Sequence, residues 1–251
     1  NRLVRGNLED VAVARQQDHG IGEQGRRRLA VSGDFLDRSG VHPEGLAAVI
    51  GRGGLVFGLK TGGYLVNDDL CHALVDDDLS QPHASNLGGL LAREIAAPLG
   101  IPAYIYDAVT SGELTDVAKI TGFVDIERRS FCHVLNSRAM ALRYAREHGK
   151  HYEELNLIVA HLGGGVSVAA HEKGRVVDVY NVKDDGSMGL DRGGALPVHA
   201  VVELCYSGRE TAEVKRMLGS EAGVYSYPGT KDFRDAEKKM DEGDQETTRA
   251  F

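Results

Sequence analysis

Residues 160–174 read AHLGGGVSVAAHEKG: a histidine closes an apolar run, three glycines follow, and a short run of small and apolar residues leads to a second turn. If LNLIVAH (155–161) and VSVAAH (166–171) pair as antiparallel strands, residues 162–165 form the tight connection between them. A connection without side chains exposes its N–H groups, and such a loop can wrap phosphate oxygens because nothing bars close approach and glycine tolerates the positive φ angles expected of the wrap. EKG then joins VSVAAH to RVVDVYNV as a hairpin turn, so three antiparallel strands are predicted in succession. The pattern is neither G-x-x-x-x-G-K-[ST] nor a strand-to-helix G-x-G-x-x-G. Three glycines also serve simply to tighten a hairpin, and the residues alone leave both readings open.

The 251 residues are 42% hydrophobic and 26% charged, within the range of globular proteins that bury a substantial core. The net charge of −8 carries no basic block beyond GRRRLA at 25–30, which argues against nucleic acid as the main partner and requires a local positive field for any anionic ligand. Cys71, Cys132 and Cys205 are far apart and lack metal-ligand spacing, the pattern of reduced thiols in a cytoplasmic protein. No apolar run approaches the ~18 residues of a membrane span. The chain begins at Asn1 without a methionine and stops within a charged, helix-like run, which suggests a piece of a longer protein.

Upstream, residues 26–39 read as a helix. GLAAVIGRGG (45–54) reads as a buried strand delivering a loop, SNLGGLLAREIAAPLG (85–100) as a helix capped by Ser85 or Asn86 and stopped by Gly100, and IPAYIYDAVT (101–110) as another strand. This order predicts a parallel crossover unit. Residues 130–148 read as an amphipathic helix with Phe131, Leu135, Ala139, Leu142 and Ala145 as its apolar stripe and His133 on it, ending at Gly149. The change to strand-like texture places a domain boundary near 150, between an N-terminal domain 1–149 and a C-terminal domain 150–251. LPVHAVVELCYSG (196–208) predicts a helix with Pro197 in its first turn and Val198, Val201, Val202 and Cys205 on one face, and further helix follows. The five aspartates of NDDLCHALVDDDL (67–79) lack the spacing of a calcium loop and read as a solvated acidic face.

NLIVAHLGGGVSVAAHEKGRVVDV resembles the second phosphate-binding hairpin of the acetate and butyrate kinase family, within the actin-like, sugar-kinase-like ATPase superfamily. The segments VIGRGG, GGYLVNDDL, HASNLGGLLAREIA, IPAYIYDAV, ERRSFCHVLNSRAMALRYA and DRGGALPVHAVVELCYSG occur in the order, and at roughly the spacing, of butyrate kinase segments. The resemblance covers about residues 45–240; the first 40 match poorly. It implies a two-domain α/β actin-like fold, here incomplete at both termini: a first phosphate loop of the form N-P-G-S-T-S-T-K and a later adenosine-binding segment are not found.

The implied reaction is phosphoryl transfer between ATP and a short-chain fatty acid such as butyrate, giving an acyl phosphate and ADP with magnesium ion as cofactor. An acetate or propionate kinase is the near alternative, and the SMG of DDGSMGLDRGG (184–194) has an acetate-type wording. A non-catalytic nucleotide-binding member of the superfamily is the distant one. By resemblance, Arg52 binds substrate, Arg192 is a second active-site arginine, and His133 and His161 donate to the transferring phosphoryl group. Leu162, Gly163, Gly164 and Gly165 form the nucleotide cradle. Asp107 matches an active-site aspartate; a carboxylic acid is already ionised at neutral pH, so an orienting role suits it better than a base. His171 reads as structural, and no protein metal ligand is assigned. The resemblance further implies a homo-oligomer, and the missing segments imply that the 251 residues alone are inactive.

Overall fold

A computed structural model describes residues 22–40, 42–76, 78–81, 83–181, 183 and 185–250. The chain divides into two compact units, Asn1–Glu113 and Leu114–Phe251.

In the first unit, helix α1 (Gly22–Ser39) precedes strand β1 (Val49–Arg52), β2 (Gly63–Leu65), helices α2 (Asp68–Val75) and α3 (Leu87–Ala96), and β3 (Ala103–Tyr106). The strand order is β1-β3-β2, with β1 parallel to β3 as the sequence predicts and β2 antiparallel to it. Leu70, Leu74, Leu90, Ala96 and Ile105 lie in one buried cluster, which joins α2 and α3 to the sheet. The Asn67 side chain caps α2 by accepting from Leu70 N–H, and Gly100, left-handed at φ 62°, ends the turn after α3.

Asn86 does not act as the expected cap. It is helical itself and buried; its Oδ1 accepts from Leu55 N–H (2.9 Å), and its Nδ2 donates to Leu74 O (2.9 Å) and Gln81 O (3.1 Å). A buried amide bonding three separate backbone segments fixes the loop that follows Arg52. Next to it, α3 and β1 meet at glycine: a Cβ on Gly51 would stand 2.0 Å from Gly88 O, and one on Gly88 2.4 Å from Arg52 O. Gly88 of LGGLL thus leaves room for the strand that carries Arg52, while Gly89 makes room for the Leu74 and Ile105 side chains.

The second unit contains a short helix α4 (Asp116–Lys119), α5 (Val134–Glu147), the antiparallel sheet β4 (Asn156–Leu162), β5 (Val166–Glu172) and β6 (Arg175–Tyr180), and helices α6 (Val198–Cys205), α7 (Thr211–Ser220), α8 (Phe233–Asp241) and α9 (Gln245–Ala250). Glu172 faces Arg175 across a two-residue turn in which Lys173 (φ 48°) and Gly174 (φ 84°) are both left-handed, the geometry that matches strand twist. Ala141, Ala145 and Tyr152 form a buried cluster with Leu155, Leu157 and Val159 packed against it, so α5 covers one face of β4. The sequence texture changes near 150, where this sheet begins; α5 precedes that point yet packs on the sheet and lies in the second unit.

The apolar stripe of α5 agrees with the expected one at Ala145 and differs from it elsewhere. Its buried residues are Val134, Ser137, Ala141 and Ala145, whereas Leu135 and Leu142 are exposed. Small residues face the sheet because the helix lies close to it, and the expected stripe ran one position away on the helical wheel. His133 is the N-cap residue before the helix rather than a member of its face. The expected apolar face of α6 is also not buried: Val198, Val202 and Cys205 are exposed, and Pro197 occupies the N-cap.

Candidate functional site

In the second unit, chain order and pairing bring several of the sequence-predicted residues together. β4 ends at Leu162, which faces Val166 across Gly163, Gly164 and Gly165. None of the three glycines adopts a positive φ, contrary to expectation; their lack of side chains, not left-handed backbone, is what the turn uses. A Cβ on Gly164 would meet nothing within 4 Å, so the turn is open on that side of Gly164, whereas Gly165 is buried. The Leu162 side chain is itself exposed, and this residue belongs to the strand rather than the turn.

His161 lies against this turn, since a Cβ on Gly163 would stand 3.0 Å from its Nε2. His133 stacks on it with ring centroids 3.7 Å apart and 9° between the planes. Each ring is tethered through Nδ1: His133 to Ser167 Oγ at 2.9 Å, His161 to Asn136 Nδ2 at 2.8 Å. Burial pushes the His161 imidazole below its ordinary range, which favours its uncharged form. Ser167 follows β4's histidine across the hairpin, directly opposite His161 in register, and Asn136 is one helical turn after His133. Neither was singled out from sequence; the i, i+3 spacing of His133 and Asn136 was the available hint.

Arg192 is connected to the same turn through the backbone. Gly164 O accepts from Leu190 N–H at 3.1 Å, Gly189 N–H donates to Arg192 O at 3.0 Å, and a Cβ on Gly189 would stand 2.7 Å from Gly164 O. Arg128 joins its guanidinium to Asp178 and Asp185 and to the Val179 carbonyl, and Asp185 Oδ1 accepts from Asn181 N–H at 2.7 Å. This network ties the segment after β6 to the sheet. His171 is buried, with Nε2 bonded to Ser137 Oγ (2.6 Å) and Nδ1 to Tyr152 OH (2.5 Å), a structural role as expected. Burial, with the nearby Arg138 charge, lowers it to about 4.

Arg52 and Asp107 belong to the first unit, at the carboxyl ends of the adjacent parallel strands β1 and β3, where Arg52 pairs with Tyr106. Open α/β sheets bind ligands at that end. Arg52 is exposed. Asp107 is 2% exposed and held at φ 44°; its N–H donates to Gly62 O (3.0 Å) and its Oδ1 accepts from Gly62 N–H (2.8 Å). A non-glycine residue in the left-handed region is costly, and the paired bonds to Gly62 hold it there. Asp107 therefore clasps the loop preceding β2 to the end of β3.

Among the described residues no group of three or more His, Cys, Asp or Glu side chains could hold a metal ion. No described helix is long and apolar enough to cross a membrane.

Residues 127–251 match the Acetokinase family. The chain is 44% identical over 227 residues to butyrate kinase 1 of Clostridium acetobutylicum, covering 90% of this chain and 64% of that protein. It is 39% identical over 250 residues to a probable butyrate kinase 2 of Caldanaerobacter subterraneus, covering 99% of this chain and 70% of that protein. Its fold is similar to the crystal structure of Porphyromonas gingivalis acetate kinase (TM-score 0.70, 20% identity, 88% of this chain and 60% of that one). It is similar also to a propionate kinase from Francisella tularensis (TM-score 0.67, 19% identity, 90% and 61%). These matches carry the actin-like α/β fold that the sequence motifs imply. The chain thus spans a little under two thirds of the butyrate kinase with which it shares 44% identity.

Proposed function

Because the chain belongs to the acetokinase family, we propose that it supplies most of the active site of a short-chain fatty acid kinase of butyrate type. The observation that carries this reading is the stacked His133–His161 pair set against an open glycine turn whose backbone is bonded to the segment bearing Arg192. Backbone N–H groups of a glycine turn and an arginine suit the phosphate oxygens of ATP, and at Gly164, which is exposed, nothing lies within 4 Å of a Cβ position. Phosphoryl transfer needs positioning and charge stabilisation more than covalent help from the protein. A carboxylate oxygen attacks the γ-phosphorus and ADP leaves with the electron pair of the broken bond; no proton need be abstracted, because the acid is already ionised.

In this reading Arg52 clamps the carboxylate or acyl phosphate, Arg192 and the histidines receive charge from the transferring group, and Asp107 shapes the substrate side through Gly62. Magnesium ion, when bound, neutralises phosphate charge. With no group of three or more His, Cys, Asp or Glu side chains placed to hold a metal ion among the described residues, it would be held chiefly by phosphate oxygens and water, its usual mode. A cytoplasmic homo-oligomer belongs to the same proposal. The test is acyl phosphate formation from butyrate and magnesium ATP, trapped with hydroxylamine, by the product of the complete reading frame. His161→Ala and Arg192→Ala should lower turnover by on the order of 10²-fold with a smaller change in ATP affinity. Unchanged turnover in both variants refutes the assignment. Acetate, propionate and butyrate compared in the same assay decide the chain length.

A further inference from the structure

The tethers on the two histidines carry a consequence for where their protons sit. A primary amide nitrogen only donates, so the 2.8 Å contact from Asn136 Nδ2 makes His161 Nδ1 an acceptor. A neutral imidazole has one proton; it must then be on Nε2, the nitrogen facing Gly163 in the glycine turn. The second ring follows the same logic. Ser167 Oγ receives His133 N–H (3.3 Å) and Cys132 S–H (3.4 Å), so its own hydroxyl proton is directed to His133 Nδ1 at 2.9 Å. That places the His133 proton on Nε2 as well.

We propose that Asn136 is a positioning residue which, through Nδ1, holds His161 as the Nε2–H tautomer and so makes it a hydrogen-bond donor toward a phosphoryl oxygen at the glycine turn, with Ser167 doing the same for His133. The opposite tautomer would present a lone pair to an anion and repel it. Because Asn136 lies in the first turn of α5, one turn after His133, the helix aligns the tether of one ring with the other ring of the stack. This inference rests on the assignment of the histidines to the phosphoryl group.

Asn136→Asp tests it, since a carboxylate accepts where the amide donates and so favours a proton on Nδ1. Asp is also favourable near a helix N-terminus, so the variant should fold. Histidine ¹⁵N–¹H correlation spectra of the 251-residue chain at pH 9, where the imidazole is neutral, should show His161 protonated at Nε2 in the native sequence and at Nδ1 in the variant. Turnover in the complete reading frame should fall by roughly 10²-fold, the scale of losing one charge-stabilising donor, with KM for ATP changed less than about threefold. Protonation of His161 at Nδ1 in the native sequence, or an unaltered tautomer in Asn136→Asp, overturns the proposal. A tautomer switch without loss of turnover overturns the catalytic consequence. If His161→Ala is fully active, the functional assignment itself fails, and the spectra separate that outcome from this one.

Discussion

Gly88→Ala probes how Arg52 is held. A Cβ there would stand 2.4 Å from Arg52 O, 3.1 Å from its N and 3.3 Å from its C. Ordinary carbon–oxygen contact is about 3.3 Å, so strand β1 and helix α3 must separate by roughly 1 Å. The converse contact, Gly51 Cβ to Gly88 O at 2.0 Å, shows that the obstacle is backbone on both sides and not a side chain that can swing away. Alanine gains about 1 kcal/mol over glycine in a helix. Overpacking of a close backbone contact costs about 1–3 kcal/mol, at times more. Because both obstacles are backbone, the upper end of that cost applies, and the net expectation is a loss of about 2 kcal/mol, a fall in Tm of roughly 4–8 °C for a chain of this size. A 1 Å displacement of a substrate-clamping group costs on the order of 10²-fold in turnover. The assays are thermal denaturation and hydroxylamine trapping. Gly219→Ala is the control: Gly219 lies in α7 with nothing within 4 Å of its Cβ position, so that change should raise Tm slightly. If Gly88→Ala is as stable and as active as the native protein, the glycine contact does not position Arg52 and the argument is wrong.

Gly164→Val should weaken ATP binding by calorimetry while leaving Tm within about 2 °C, because its Cβ would have no other atom within 4 Å; unchanged ATP affinity would remove the cradle. His171, at about 4 in the fold, has an ordinary value near 6.5 in the unfolded chain, so on acidification the unfolded state binds the proton first and stability falls as pH drops through that interval. The loss attributable to it is about 2 kcal/mol by pH 5. It should be visible as a lower urea midpoint than at pH 7 and diminished in His171→Gln; identical pH slopes in the two proteins would contradict the burial argument.

Much of the architecture is local and was legible for that reason. The parallel relation of β1 and β3, the helix stop at Gly100, and the three strands with an EKG turn follow from apolar run length, glycine placement and turn chemistry, which act over a few residues. The ordered motifs identified the family, since each is a short run of chain that can be read without knowing its tertiary contacts. What sequence could not decide depends on surfaces meeting across long separations. Which side of α5 is buried is set by the distance to β4: a close sheet selects Ser137, Ala141 and Ala145 and turns the larger Leu135 and Leu142 outward, against the hydrophobicity ranking that a periodicity reading relies on. Asn86 looked like a cap because caps and buried bridges use the same amide, and only the positions of Leu55, Leu74 and Gln81 distinguish them. The histidines could be named from motifs, but their stacking and their tethers to Asn136 and Ser167 arise where a helix N-terminus meets a hairpin. Sequence determined which groups are present and in what order; tertiary structure decided which nitrogen of each imidazole is tethered, because that depends on distances between side chains more than 20 residues apart in the chain.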